Sequence, residues 1–228
     1  MTDNLFDFHS HILPLVDHGS DSIETTLFQL ALAKESGVGK IIATSHFYPH
    51  LHTVPLYLDK RNKAYKTLVE SGMDIPEIKL GAEVLLCENL HKLDSISDLC
   101  IYGTKYILIE LPFTPLNHGL VHAVKRLVEY GYDVILAHAD RYAPDKIETL
   151  LEYGVSLQLN ADSLAGIFKN KKLFEWIKCG YVVALGSDIH GRDKSAYKKL
   201  LKAIKKIGED YEIIAEKTGQ IWEKALQF

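Results

Sequence analysis

The stretch DFHSHILPLVDHG, residues 7–19, leads out of an apolar run and holds three histidines and two aspartates. His9 and His11 are two residues apart, and side chains two apart on a strand point to the same side. Both imidazoles can therefore face one metal ion. Asp17 and His18 follow a few residues later, so this short segment carries more candidate metal ligands than a purely structural strand requires.

Short apolar or β-branched runs alternate with helical patterns along the rest of the chain. The runs predict seven strands, at 4–9, 40–45, 77–84, 105–111, 133–138, 155–160 and 181–187. The segments between them predict helices near 22–36, 55–71, 116–130, 144–153, 170–179 and 195–208, with more helix toward the C-terminus. Glycines 37, 72, 131, 154 and 180 stand where these helices should end.

This alternation predicts an α/β fold with parallel strands joined by right-handed crossovers. Seven such strands suit a doubly wound sheet or a closed barrel, and no GxGxxG motif follows the first strand. We therefore predict a distorted TIM-like barrel with seven parallel strands, (β/α)7, formed by a single domain over residues 1–228. A chain of this length can bury a core of that size.

The composition is that of an ordinary globular protein, with 47% apolar and 25% charged residues. A formal net charge of -4 gives no support to nucleic-acid binding. Neither a signal segment nor an apolar run of membrane-spanning length is visible, so we expect no membrane insertion. Cys87, Cys100 and Cys179 lie far apart without CxxC spacing, which predicts reduced, core or semi-buried residues in a cytoplasmic protein.

Polar residues mark the ends of the predicted strands: His9 and His11, His46, Glu83, Glu110, His138, Asn160, and Asp188 with His190. In a parallel barrel these ends share one face, where barrel enzymes build their sites. Such side chains are costly to desolvate without partners, and metal ions are the simplest partner for all of them. The mixture of imidazole and carboxylate favours manganese, iron or zinc, and the number of ligands favours two or three ions.

The sequence resembles the polymerase-and-histidinol-phosphatase (PHP) superfamily over nearly its whole length. DFHSHILP is similar to the first motif of that superfamily, IIATSH to the second, GAEV to the third and SDIHG to the last. Within it, the chain resembles the bacterial metal-dependent tyrosine-protein phosphatases of capsule and exopolysaccharide clusters. HSHILPLVDHGSDSIE, KYILIELPF, AHADRY and LNADSLAGIF carry this closer resemblance.

The resemblance implies three divalent metal ions per chain, with manganese expected and iron or zinc as alternatives. The first ion would be held by His9, His11, Glu83 and Asp188, and the second by Glu83 as a bridge, Glu110 and His138. The third would be held by His18, His46 and His190.

The chain departs from these phosphatases at two points. They usually have aspartate just before the residue that is Gly19 here, so either His18 or Asp17 completes the third site. They usually have His-Pro-Glu-Arg where this chain has HADR, which keeps His138 and Arg141 but loses a proline.

The resemblance implies hydrolysis of a phosphate monoester, with phosphotyrosine on a protein as the expected substrate. A hydroxide held between two ions would attack phosphorus, and Arg141 is the candidate catalytic residue, contacting phosphoryl oxygens. Arg192 is a candidate for assisting Arg141 in this role. Aromatic candidates for contact with the tyrosyl ring are Phe47, Tyr48, Phe113 and Tyr142. The expected partner is a tyrosine kinase of polysaccharide biosynthesis with a phosphorylated C-terminal tail, and the oligomeric state is open.

Three alternatives accompany this interpretation. A PHP phosphatase for a small metabolite, such as histidinol phosphate, would share the metal chemistry and differ in its pocket. Net acidity disfavours a nuclease-like module. A non-catalytic module of polysaccharide export would not need so complete a set of ligands.

Overall fold

The computed structural model describes residues 5–166 and 170–228, and strands alternate with helices throughout. The strands in these residues are β1 (Leu5–Ser10), β2 (Val38–Ala43), β3 (His46–Phe47), β4 (Glu77–Leu80), β5 (Glu83–Leu85), β6 (Tyr106–Glu110), β7 (Asp133–Leu136), β8 (Ser156–Asn160) and β9 (Val182–Gly186). The α-helices are α1 (Ile23–Glu35), α2 (Val54–Glu70), α3 (His118–Glu129), α4 (Pro144–Leu151), α5 (Ala161–Ala165), α6 (Lys171–Lys178), α7 (Ala196–Ile207) and α8 (Tyr211–Lys224). Asn4 of the first predicted strand and residues 167–168 of LNADSLAGIF lie outside the described residues.

The predicted helices are confirmed to within a few residues at each end, and α8 supplies the expected C-terminal helix. Polar residues cap three of them: the side chains of Ser22, Asn117 and Asn170 accept hydrogen bonds from the backbone N–H groups of Thr25 (3.2 Å), Leu120 (2.9 Å) and Lys172 (3.1 Å). The sequence did not predict α5, because a helix of five residues is too short to show an amphipathic period.

Every strand pair in the described part of the chain is parallel, which confirms the α/β class. The pairing differs from the predicted closed barrel of seven strands. The described residues form nine strands in two sheets, one in the order β1-β2-β4 and the other in the order β3-β5-β6-β7-β8-β9.

Helix α2 lies beside two breaks in the strands, one between β2 and β3 and one between β4 and β5. The second break splits the predicted run 77–84 into β4 and β5, whereas the run 40–45 corresponds to β2 alone, and β3 at His46–Phe47 was not predicted. At the breaks, the hydroxyl of Tyr57 donates to the carbonyl of Ser45 (2.8 Å) and the guanidinium of buried Arg61 donates to that of Gly81 (3.1 Å). Side chains of α2 therefore satisfy carbonyl groups at the points where regular strand pairing stops.

The core consists of two clusters. The larger one lies between strands and helices and includes Leu30 of α1, Val124 of α3 and Leu157 of β8. The smaller one takes one side chain from each of five strands and packs them with α8; its members include Phe8, Ile42, Leu108, Ile135, Ala184 and Trp222. Because these strands belong to both sheets, the sheets share one buried interior.

No helix among the described residues combines the length and the apolar character needed to cross a membrane. The cysteines are free, with Cys100 buried and Cys87 half-buried as predicted. Cys179 is exposed, contrary to the prediction, because it caps the C-terminus of α6 at the surface.

The substitution Tyr57→Phe should lower the free energy of unfolding by about 1 kcal/mol. It removes the donor to Ser45 but keeps the ring that packs edge-on against Phe47, and the Ser45 carbonyl retains the N–H of Glu83 (3.1 Å) as a second donor. Urea denaturation measures the change. Tyr130→Phe, at an exposed tyrosine, is the matched control and should change stability by less than about 0.5 kcal/mol. Equal losses in both variants would contradict the role of the Tyr57 hydroxyl.

Candidate metal centre

The carboxyl ends of the strands bring all the predicted metal ligands to one face. Most of these ligands lie at or just after a strand end. His18 lies in the loop between β1 and α1, and His46 and Glu83 begin β3 and β5. The sequence placed Glu83 at the end of a strand, and this was wrong because the chain breaks between β4 and β5. The break leaves Glu83 beside His46 in the register of β3 and β5.

The floor of the site is a buried group made of His9, His11, Glu83 and Asp188. Glu83 Oε2 lies 3.2 Å from Nε2 of both His9 and His11. Asp188 Oδ1 lies 3.5 Å from His9 Nε2 and 3.3 Å from His11 Nε2. The two Nε2 atoms are 3.1 Å apart. The structure thus brings together the four residues predicted for the first ion.

A second group adjoins the first through Glu83, whose Oε1 lies 2.6 Å from His138 Nε2. Glu110 Oε2 is 3.8 Å from the same nitrogen, and Glu110 Oε1 is 3.4 Å from His46 Nδ1. His46 Nδ1 is also 3.1 Å from Glu83 Oε2. His46 therefore lies against the predicted second set as well as the third.

The rim of the site is formed by stacked imidazoles. The His18 ring stacks on His46 and His190, with centroids 4.9 Å and 4.7 Å away. His190 also stacks on His11 at 4.1 Å. Because His18 is exposed and His11 is fully buried, the histidines lead from the interior to solvent.

Asp17 supports the ring of His11. Its Oδ2 accepts hydrogen bonds from His11 Nδ1 (2.7 Å) and from the backbone N–H of His46 (2.8 Å), and its Oδ1 accepts from the N–H of Gly19 (2.8 Å). A carboxylate that binds the second nitrogen of a histidine orients the ring toward a metal. The sequence left His18 and Asp17 open for the third site. Asp17 already accepts these three hydrogen bonds, whereas the ring of His18 is free.

Glycine is required at two positions where the backbone passes close to His9 and His11. A Cβ atom on Gly19 would lie 2.0 Å from Cβ of His11, and one on Gly186 would lie 2.4 Å from Cβ of His9. Both distances are far inside van der Waals contact, so any larger residue would displace a histidine.

The buried charges stabilise one another against the cost of burial. Burial favours a neutral Glu83, but the imidazoles of His9, His11 and His138 hold the pKa of this carboxyl well below its usual value. Burial likewise favours a neutral His9, but the carboxylates of Glu83 and Asp188 raise the pKa of its imidazole above 6.5.

The surroundings of His11 and His190 shift the pKa values of the two imidazoles in opposite directions. Burial opposes charge on His11, yet hydrogen bonds to Asp17, Asp188 and Glu83 raise the pKa of this imidazole well above 6.5. Burial, reinforced by the nearby charge of His11, lowers the pKa of His190 to about 4. At neutral pH His11 on the floor is therefore protonated, whereas His190 is neutral.

Three ligand-type atoms of the cluster are buried without a hydrogen-bond partner: Glu83 Oε2, His46 Nδ1 and His190 Nε2. Donor atoms converge to within 4.8 Å in three groups, His9–His11–Glu83, His46–Glu83–Glu110 and His11–His46–His190. Oxygen and imidazole nitrogen in this mixture are the ligands of divalent transition metals, so the residues present fit such ions.

Arg141 lies beside the candidate ligands, whereas Arg192 lies against helix α1. The Arg141 guanidinium is half exposed and contacts the carboxylate of Asp188 at the edge of the floor. Arg192 contacts the Thr25 hydroxyl (3.4 Å) and lies over the Phe28 ring. Its partners on α1 disfavour the assisting role suggested from the sequence.

Sequence reasoning missed two supporting residues. Gln158 is fully buried, and its Oε1 contacts His9 Nδ1 (3.1 Å) and the backbone N of His138 (2.6 Å). Tyr142, expected only at the mouth, has its hydroxyl 3.2 Å from His138 Nδ1. The segment QLN, residues 158–160, carried a usable signal, since polar residues two apart on a buried strand face the same side.

A family model for capsular polysaccharide synthesis, CpsB/CapC, matches residues 5–221. The chain belongs to this CpsB/CapC family. Among relatives, the tyrosine-protein phosphatase YwqE of Bacillus subtilis is 29% identical over 208 residues, which cover 82% of this chain and 77% of YwqE. The tyrosine-protein phosphatase CpsB of Streptococcus pneumoniae is 24% identical over 233 residues, covering 94% and 91%.

Solved structures agree with this fold. A chain from the crystal structures of Bacillus subtilis YwqE and Streptococcus pneumoniae CpsB, unique metal-dependent tyrosine phosphatases, superposes with a TM-score of 0.78. It is 24% identical, and the match covers 98% of this CpsB/CapC chain and 96% of that one. A β-aspartyl dipeptidase of Fervidobacterium islandicum gives a TM-score of 0.59 at 10% identity, covering 96% and 72%. The architecture therefore also carries other chemistry, and the function must be argued from the site.

Titration with Mn²⁺ at pH 7 should release protons, and the apparent affinity should rise with pH. The pKa of His11 is raised well above 6.5, so its ring carries a second proton at pH 7 that a metal must displace. The pKa of His9 is shifted in the same direction, whereas the His190 ring is already neutral. Calorimetry in two buffers of different ionisation enthalpy measures the released protons. His52→Ala, at an exposed loop histidine, should leave the release unchanged. Equal heats in both buffers for the unmodified protein would contradict the expectation.

Proposed function

We propose that this CpsB/CapC chain is a metal-dependent protein-tyrosine phosphatase. The observation that carries the proposal is the convergence of four imidazoles on the buried carboxylate of Glu83. The names of the relatives, tyrosine-protein phosphatases over most of the chain, give the reaction class.

In this proposal three divalent ions, with manganese preferred, are held by the sets that the family resemblance implies. His9, His11, Glu83 and Asp188 hold the first; Glu83, Glu110 and His138 hold the second; His18, His46 and His190 hold the third. When bound, divalent ions lower the pKa of water to near neutral and neutralise charge on phosphoryl oxygens. The protein fixes the ligands: Asp17 orients His11, and Tyr142 lies against the second nitrogen of His138.

Arg141 is the proposed catalytic residue. Its guanidinium is half exposed beside the floor, and a planar guanidinium can donate two parallel hydrogen bonds to a phosphoryl group. Such donors stabilise the charge that develops on the oxygens in the transition state. Its present contact with Asp188 holds the guanidinium close to the candidate ligands.

The aromatic candidates divide by burial. Phe47 is buried against Tyr57, so its ring is not available to a substrate. Tyr142 is half-buried against the larger core cluster, with its hydroxyl engaged by Leu111 and His138 in support of the site. Tyr48 stacks on His46 at 5.1 Å, and Phe113 is fully exposed in the loop after β6. These two are the proposed contacts for the tyrosyl ring.

We also propose that the two sheets act together as one distorted barrel of seven strand positions. The backbone N–H of Asp188 donates to the carbonyl of His9 (2.8 Å), which joins the ends of β1 and β9. The N–H of Glu83 donates to the carbonyl of Ser45 (3.1 Å) across the break between the sheets.

The proposed partner is a tyrosine kinase of polysaccharide biosynthesis with a phosphorylated C-terminal tail. Membership of a family of capsular polysaccharide synthesis supports this partner. Three free cysteines agree with a cytoplasmic location, since reducing compartments keep thiols unpaired.

Parallel assays with Mn²⁺ on a phosphotyrosine peptide and on histidinol phosphate test the substrate class. We expect a higher kcat/KM for the peptide, because phenolate, with a pKa of about 10, leaves more readily than an alkoxide. Removal of metal by EDTA should abolish turnover, and Mn²⁺ should restore it. A large preference for histidinol phosphate would favour the metabolite phosphatase instead.

Arg141→Ala should lower kcat/KM on the peptide by roughly 10²- to 10³-fold while the bound metal content stays the same. Metal analysis beside the kinetic assay separates the two effects. The control is Arg126→Ala on α3, where the exposed guanidinium pairs with Glu129 (2.6 Å) outside the site. Unchanged turnover in Arg141→Ala would reject its catalytic role.

A further inference from the structure

Strand β8 ends among the candidate ligands without supplying one. Its side chains Gln158 and Asn160 are both buried. Gln158 Nε2 donates to Asn160 Oδ1 (3.0 Å), and Asn160 Nδ2 donates to Asp188 Oδ2 (2.8 Å). Since Gln158 Oε1 contacts His9 Nδ1 (3.1 Å), a continuous series of hydrogen bonds connects His9 to Asp188.

One backbone group sets the direction of this series. The N–H of His138 points at Gln158 Oε1 (2.6 Å), and a backbone N–H can only donate. The atom facing it must therefore be the oxygen, and the same oxygen faces His9. His9 Nδ1 must then carry the proton. In turn, Gln158 presents its NH₂ group to Asn160, and Asn160 presents its own to Asp188.

We propose that Gln158 and Asn160 are positioning residues that act as one relay, which fixes the tautomer of His9 and the oxygen of Asp188 that face a divalent cation. With the proton on Nδ1, the lone pair of neutral His9 is on Nε2, 3.2 Å from Glu83 Oε2. Asp188 Oδ2 is engaged by Asn160 and Arg141, which leaves Oδ1 for the cation. The inference rests on the proposed metal centre.

The relay also contacts both candidate ligand residues whose backbone is left-handed. His138 has φ 34° and Asp188 has φ 51°, a region that residues other than glycine rarely adopt. The Gln158 amide holds the backbone N–H of His138, and the Asn160 amide holds the side chain of Asp188. Because Gly186 has no side chain, it leaves room for the Gln158 amide. A Cβ atom at this position would lie only 2.7 Å from Gln158 Nε2.

The partner of His9 differs in kind from that of His11. His11 Nδ1 has the carboxylate of Asp17 as its acceptor, whereas His9 Nδ1 has a neutral amide. A carboxylate has only acceptor oxygens, so it could hold His9 but could not donate to Asn160. The amide is required because it accepts at one end and donates at the other.

Gln158→Glu tests this requirement, because it keeps the acceptor for His9 and His138 but removes the donor to Asn160. An added negative charge near a cation site would by itself tighten binding. The relay requires the opposite result, a tenfold to hundredfold higher Kd for Mn²⁺ measured by calorimetry on the full chain. Gln220→Glu makes the same change at an exposed position of α8 and should leave the Kd unchanged. An unchanged or lower Kd in a folded Gln158→Glu protein, as judged by near-UV circular dichroism, would overturn the proposal.

A second measurement needs no variant. In the protein loaded with Zn²⁺, long-range ¹H–¹⁵N NMR spectra should show His9 protonated at Nδ1 and metal-bound at Nε2. Metal on Nδ1 would overturn the relay whatever the variants do. Both readouts are independent of phosphatase turnover, so a protein that binds metal as described but does not hydrolyse phosphotyrosine would refute the proposed function and leave the relay standing.

Discussion

A buried carboxylate is the constraint on which the rest of the structure depends. Glu83 is fully buried, and four imidazoles surround its oxygens, those of His9, His11, His46 and His138. An unpaired ion in the interior costs several kcal/mol, so these rings must be held at close range. Because they come from the end of β1, from the start of β3 and from the segment after β7, the need to compensate one charge fixes how these parts of the chain lie relative to each other.

Three histidines around Glu83 share a residue type but not an environment. The second ring nitrogen meets the carboxylate of Asp17 in His11, the amide of Gln158 in His9 and the hydroxyl of Tyr142 in His138. These three partners differ in charge and in whether they can donate, so they set orientation and basicity separately for each ring. The site is therefore shaped as much by residues that cannot bind a metal directly as by those that can.

The breaks after β2 and β4 help to position the buried carboxylate of Glu83. A continuous strand from 77 to 84 would place alternate side chains on opposite faces. The break after β4 lets Glu83 begin a new strand, paired in register with His46 of β3. Donors from α2 take over the carbonyls that the break leaves, so the interruption does not expose unpaired backbone. A distortion of the sheet thus positions the central ligand.

The sequence by itself determined the helices other than the short α5, the parallel strands and the identity of the candidate ligands, because period and strand-end position are local properties of the chain. It also nominated Arg141, which follows closely on His138, as a candidate. Only the tertiary structure decided that β3 follows β2 as a strand of its own, that β4 and β5 are separate, that Asp17 supports His11, and that Gln158 contacts His9 and His138. These facts depend on contacts between residues that are far apart in the sequence. Residue spacing along one strand does not predict such contacts, because α2, β8 and the loop after β1 come together only when the chain has folded.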